Sequence, residues 1–174
     1  LSIGLISFRI SKSGLDELIT DQLDSVTALT VEMVDVTFEN SAKNYLKGIV
    51  KEKVKIIEDY QSRVNQGELS LSQAQEEIKQ KFVRDVIGDT GYVFIINTEG
   101  DYVLSKNRTR DGENIYDAQD SGGNYFIQDI IEKAEALENS ETDFQTYPWK
   151  NVGEDTARNK LAVFSYYRDW NWII

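Results

Sequence analysis

The sequence predicts an α+β fold, with a long N-terminal helical region followed by an antiparallel sheet of short strands. Three observations carry this expectation. Between Ser13 and about Asn65 there is no proline, and Gly14 and Gly48 are the only glycines, so nothing local interrupts a helix. After Gly91 the helical spacing gives way to the continuous apolar run Tyr92-Val93-Phe94-Ile95-Ile96, rich in β-branched and aromatic residues. Asn97-Thr98-Glu99-Gly100 and Tyr102-Val103-Leu104 follow it, completing the pattern of a hairpin with a glycine-containing turn.

Within the helical region Leu15, Ile19, Val26, Leu29, Met33 and Val36 form a heptad-like seam, interrupted where Gln22 replaces an apolar residue. A partner helix is expected to cover it. Further on, Tyr45, Leu46, Ile49, Val50, Val54, Ile57 and Tyr60 keep an apolar stripe, read as the face lying against the globular part. Gly67 breaks the pattern. Ser70-Leu71-Ser72-Gln73 then supplies a capping box, so a second helix starts there, burying Leu71, Ala74, Ile78 and Phe82 and ending before Gly88-Asp89-Thr90-Gly91.

The run 92–96 is apolar on both faces and must be covered on both, one by the long helix and the other by more protein or a ligand. Asp120-Ser121-Gly122-Gly123 precedes a short connecting helix over residues 124–137, with Phe126, Ile130, Ala134 and Leu137 inward. Residues 144–149, 161–167 and 170–174 are three further strand candidates, separated by the polar loop 150–158 and by Arg168-Asp169.

A chain of 174 residues with 40% hydrophobic residues suits one domain, or a small domain with an elongated helical appendage. Asp and Glu number 30 against 19 Lys and Arg, a net charge of -11 that repels nucleic acid and anionic lipid, so no nucleic-acid partner is expected. The absence of Cys and His removes thiol and imidazole chemistry and the usual zinc ligands, and no metal or cofactor is expected. Lys106, Arg108 and Arg110 lie in one segment, either an anion holder or a solvated basic loop. Residues 1–8 are apolar but far short of the roughly 20 that span a bilayer. They are read as the outer end of a membrane helix arriving from upstream, with a hydrophobic staple onto the core as the other reading.

These residues resemble the single Cache domains, type 2, found outside the membrane in methyl-accepting chemotaxis proteins and sensor histidine kinases. The resemblance covers nearly the whole chain. Gly91-Tyr92-Val93-Phe94-Ile95 is similar to the family's first-strand signature, Gly112 and Asn114 to its Gly-x-Asn element, and residues 120–126 to its Asp, Gly, aromatic approach to the short helix. Tyr147 and Trp149 resemble the Tyr-x-Trp strand, Lys160-Leu161 the start of Lys-Leu-Ser-Tyr, and Trp170-Asn171-Trp172-Ile173-Ile174 the closing strand. Two places depart from the pattern. Ser105-Lys106 stands where the family commonly has His-Pro, and Val163 where it has Tyr.

The resemblance implies a PAS-like five-stranded antiparallel sheet with a short connecting helix, holding a small organic molecule, frequently a short carboxylate. It divides the chain into a membrane-helix end (1–12), a helical stalk with the second helix (13–87) and a sensor core (88–174). Such a pocket needs aromatic walls and a cation to offset a carboxylate withdrawn from water. Phe94, Tyr125, Tyr147 and Trp149 are the expected walls, Ser105 the hydrogen-bonding group and Lys160 the charge. It further implies an extracytoplasmic, membrane-tethered receptor part that signals as a homodimer through the N-terminal helix. A structural coupling module without a small ligand is the alternative. An enzyme is the remote third, because no pair among the many carboxylates is recognisable. The stretch Asn107-x-Thr109-x-Asp111-Gly112 only faintly matches a calcium loop, with Ala118 where its bidentate Glu should stand.

Overall fold

The computed structural model describes residues 12–149 and 156–174, with side chains from Ile19 onward except at position 35. The expected membrane-helix end thus lies outside the described residues up to position 11, as does the polar loop over 150–155. The helix expected from Ser13 is α1, Lys12–Asn65, one element without a break. Among the described residues no helix is long and apolar enough to cross a membrane.

The chain forms two compact units, Leu1–Ala42 and Lys43–Ile174. In the first, the described seam residues Ile19, Val26, Leu29, Met33 and Val36 are exposed, together with Leu23, Val31, Val34 and Phe38. The second unit holds the core.

Helix α2, Leu71–Phe82, begins at the expected capping box: Ser70 Oγ accepts from the Gln73 N–H at 3.2 Å and the Ser70 N–H donates to Gln73 Oε1 at 2.9 Å. Ala74, Ile78 and Phe82 are buried as expected, but Leu71 is exposed. Leu69, the residue before the cap, packs on the core instead, in the hydrophobic-staple position relative to Ala74.

Strands β1 (Val86–Ile87) and β2 (Gly91–Tyr92) form a small ladder, and β3 (Ile95–Ile96) pairs with β4 (Tyr102–Leu104) as the expected hairpin. Gly100 turns that hairpin at φ +82, and a Cβ there would lie 2.7 Å from the Tyr116 Cβ, so the turn requires glycine. The Asn114 amide, from the Gly-x-Asn element, donates to the Glu99 carbonyl and to Asp101 Oδ1, closing the hairpin end. Helix α3 (Phe126–Ala136) buries Phe126, Ile127, Ile130, Ile131 and Ala134.

The C-terminal strands are β5 (Asp143–Trp149), β6 (Arg158–Phe164), β7 (Tyr166–Tyr167) and β8 (Trp172–Ile173), antiparallel to their neighbours. Strand β7 continues β6 across Ser165, whose backbone exchanges hydrogen bonds with Ile174. The strands therefore follow the order β4, β3, β8, then β7 with β6, then β5. Trp170, expected to open the last strand, lies in a 3-10 turn that ends at left-handed Asn171, so pairing starts at Trp172.

The sheet separates two cores. Ile95, Trp172 and Ile174 pack with Val50, Val54 and Ile57 of α1 and with α2. Their strand neighbours Ile96 and Ile173 pack with α3, Phe164 and Tyr147. Alternation of side chains across a strand produces this split, and the face opposite the long helix is thus met by α3. Helix α1 is also tied by polar contacts. Lys53, only 7% exposed, lies 2.8 Å from Asp85 Oδ2, and the Trp170 indole N–H donates to Gln61.

Candidate functional site

A cavity of about 270 Å³ opens between the sheet, α3 and the loop after β4. Two aromatic groups wall it. On one side Phe94 stands 6.4 Å from both Tyr92 and Tyr102, edge-on to the latter. On the other, Phe126 stacks on Tyr147 with ring centroids 4.2 Å apart and lies 5.4 Å from Trp149. Residues 147 and 149 are two apart on β5 and so share a face. Directly across the ladder from Tyr147 stands Lys160 of β6.

The cationic side chains lining the cavity are Lys106, Arg110 and Lys160, and none of its described lining residues is acidic. Each cation lies over a ring: Lys106 over Tyr92 at 5.2 Å, Arg110 over Tyr102 at 5.3 Å, and Lys160 over Trp149 at 5.8 Å. A contact of this kind contributes about 0.5–1 kcal/mol at exposed sites. A charge-assisted hydrogen bond contributes about 1.5–3 kcal/mol, so an anion that reaches a lysine wins over its ring. Arg110 is also paired with Glu113 at 2.6 Å, so Lys106 and Lys160 carry the local positive charge of this lining in a chain of net charge -11.

The loop that delivers Lys106 and Arg110 is held open by its own polar contacts. Asn107 and Arg108 both adopt left-handed backbone, at φ 54 and 61, which asparagine tolerates but which costs about 1–2 kcal/mol at Arg108. Arg108 offsets this by binding Glu76 of α2 through both terminal nitrogens and Asp111 Oδ2 through Nε at 2.9 Å. The hydrogen bonds from Arg108, then Lys79 and Gln80, hold the Glu76 carboxyl down at about 2. Burial pushes Asp111 up, but the Ser105 N–H and hydroxyl, both donating at 2.8 Å, together with Arg108 hold it below the usual range. Burial raises Tyr92 and Tyr147, and pushes Tyr102 to about 12, so all three phenols remain protonated at neutral pH.

Of the residues expected to form the pocket, Phe94, Ser105, Tyr147, Trp149 and Lys160 line this one cavity. Tyr125 does not. It precedes α3 and is 44% exposed, whereas Phe126, 6% exposed, enters the wall. Ser105 is 2% exposed and donates its hydroxyl proton to Asp111 while accepting from the Arg110 N–H at 2.9 Å, so it shapes the loop. The basic segment is divided: Lys106 and Arg110 reach the cavity, and Arg108 turns to Glu76 and Asp111. Sequence reasoning assigned Phe126 to the core and passed over Tyr92 and Tyr102. The available signals were the two-residue spacing that puts Tyr92 on the same side of the chain as Phe94, and the hairpin register that sets Tyr102 opposite Ile96, two residues on from Phe94.

A sheet backed by a long helix on one face, with a small aromatic and cationic hollow on the other, defines a domain of the α+β class with a cavity beside its short helix. Residues 38–174 match the family model Single Cache domain 2, and the chain belongs to that family. Solved structures share the fold. A periplasmic sensor domain of a chemotaxis protein superposes with a TM-score of 0.69 at 18% identity, covering 77% of this chain and 92% of that one. A Cache chemosensory domain, described for its carboxylic acid recognition, gives 0.69 at 15% identity, covering 78% and 91%. A methyl-accepting chemotaxis protein from Vibrio parahaemolyticus RIMD 2210633 gives 0.59 at 21% identity, covering 90% and 92%.

Proposed function

We propose that this chain is the extracytoplasmic sensor domain of a membrane-bound signalling receptor, and that the cavity beside α3 binds a small organic anion, a short carboxylate. The observation that carries the reading is the two lysines, Lys106 and Lys160, each over an aromatic ring, around a cavity whose described lining has no acid, with the third lining cation, Arg110, paired to Glu113. The volume of about 270 Å³ suits a ligand of a few heavy atoms, below the usual drug-sized range. A fold relative described for carboxylic acid recognition supports the same class. The chemistry is binding, with aromatic walls for the carbon atoms and lysines for the carboxylate.

Signal leaves through the N-terminal helix in this account. Ligand biases two arrangements of the sheet against α1 by its differential affinity for them, so a few kcal/mol suffices. The Lys53–Asp85 pair and the Trp170–Gln61 hydrogen bond are the couplings that transmit the bias. The exposed apolar residues of α1 from Ile19 to Phe38 are the surface that pairs with a second copy.

A coupling module without a small ligand is the second reading, favoured by Ser105-Lys106 and Val163 at positions where the family pattern differs. A thermal-shift screen with acetate, propionate, pyruvate and lactate, set against ethylamine and acetamide, separates the two. A carboxylate at 100 times its dissociation constant adds about 2.7 kcal/mol, or about 5–10 °C for a chain of this size. A flat response to every anion favours the coupling module.

A further inference from the structure

Arg110 and Glu113 are the two ends of the turn that closes the loop after β4, and the backbone holds both in place. The Glu113 N–H donates to the Arg110 carbonyl at 3.1 Å, with Gly112 between them at φ +81. Each end is then tied to something else. The Arg110 N–H donates to the buried Ser105 hydroxyl at 2.9 Å, and the Glu113 carbonyl accepts from the Tyr102 N–H at 2.9 Å. Two side chains set in register this way lose less freedom on pairing than an ordinary surface ion pair does.

The pair they form is bidentate. Arg110 Nε donates to Glu113 Oε2 and Nη2 donates to Oε1, both at 2.6 Å, short even for charge-assisted hydrogen bonds. The guanidinium also lies over Tyr102, 5.3 Å from the ring centroid. Arg110 and Tyr102 both line the small cavity, and Glu113 stands outside its described lining. A cation thus sits beside the ligand space with the edge best suited to a carboxylate already taken. The hydrogen bonds from Arg110 hold the Glu113 carboxyl below its usual range, so it remains ionised at neutral pH.

An arginine so placed has two candidate partners, Glu113 and a ligand carboxylate, and one fork grips one carboxylate at a time. A ligand with a single carboxylate is met by the lysines and gains nothing from opening the pair. A ligand with two carboxylates must break the pair or leave its second charge without a partner among aromatic walls, which is costly.

We propose that Glu113 is a specificity-determining residue of this site: by occupying Arg110 it reserves the cavity for monocarboxylates and disfavours dicarboxylates. The assignment rests on the carboxylate reading of the cavity given above.

Titration calorimetry of propionate and succinate tests it on four chains: the unaltered protein, Glu113→Gln, Glu113→Gln with Arg110→Gln, and Glu132→Gln. The last removes the same charge from an exposed position on α3 that does not line the cavity. The ratio of succinate to propionate affinity is expected to rise about fivefold in Glu113→Gln, the strength of one well-formed exposed ion pair. It should return toward its starting value in the double variant, and stay within about twofold in Glu132→Gln, where the charge is screened from the site. Propionate binding with an unmoved ratio in Glu113→Gln overturns the assignment and leaves the carboxylate reading standing. A rise that survives the loss of Arg110, or appears equally in Glu132→Gln, overturns it too. Should neither acid bind any of the four chains, the carboxylate reading falls and the role of Glu113 falls with it.

Discussion

Glu76 and Arg108 stand 32 residues apart in sequence and meet through both guanidinium terminal nitrogens, joining α2 to the loop that carries Lys106 and Arg110. Glu76→Gln should therefore loosen that loop. The expected loss is about 1 kcal/mol at pH 7, allowing for solvent screening of a partly exposed pair, with weaker carboxylate binding. The folded-state carboxyl is held down at about 2. Its contribution is thus complete above the ordinary Glu value near 4.5 and fades as pH falls toward 2. Urea titrations of both chains at pH 7 and pH 3 check this; a gap that widens on acidification contradicts it.

Phe126 and Tyr125 are neighbours with opposite fates. Phe126→Ala removes a buried ring stacked on Tyr147 and should cost about 3–5 kcal/mol. Tyr125→Ala alters an exposed side chain and should stay within about 0.5 kcal/mol, with ligand affinity unchanged. Chemical denaturation distinguishes them, and comparable losses would place Tyr125 in the packing after all.

Those two residues also mark how far the sequence was legible. Helical spacing set Phe126 inward with Ile130 and Ala134, as the structure has them, and Tyr125 was expected in the pocket through the resemblance; that the inward ring of Phe126 also meets a cavity depends on Tyr147 and Trp149, which no local spacing reports. The capping box at Ser70 and the turn at Gly100 were legible because each is decided within four residues. The loop at Ser105 was not. Of its two left-handed residues only Asn107 is of a type that favours that backbone, and the contact that supports Arg108 comes from α2. The division of one strand into β6 and β7 at Ser165 likewise reflects a change of partner, from β5 to β8, that has no local signature.

Lys53 is buried beside Asp85. Removing Asp85 leaves the buried ammonium with only its longer, 3.4 Å contact to Glu52, so Asp85→Ala should destabilise by about 2–4 kcal/mol. Lys53→Met combined with Asp85→Ala should recover part of that loss, because no buried charge then remains. A double-mutant cycle by thermal unfolding measures the coupling, and strict additivity would show that the pair does not link α1 to the core.

The exposed seam on α1 should mediate self-association. Leu29→Lys with Met33→Lys places charge on it, and sedimentation should then report a monomer at concentrations where the unaltered chain is a dimer. Two chains with identical mass across the whole concentration range would contradict a role for this face.

In the function proposed above, Lys106 and Lys160, set over aromatic rings, select a carboxylate. Titration calorimetry of propionate against propionamide, nearly equal in shape and different in charge, tests it most directly, with Lys160→Met as the second protein. The account predicts that propionate binds the unaltered chain at least about tenfold more tightly than propionamide, and that Lys160→Met removes at least about 1.4 kcal/mol of this preference. Equal binding of acid and amide, or a preference that survives in Lys160→Met, would contradict it.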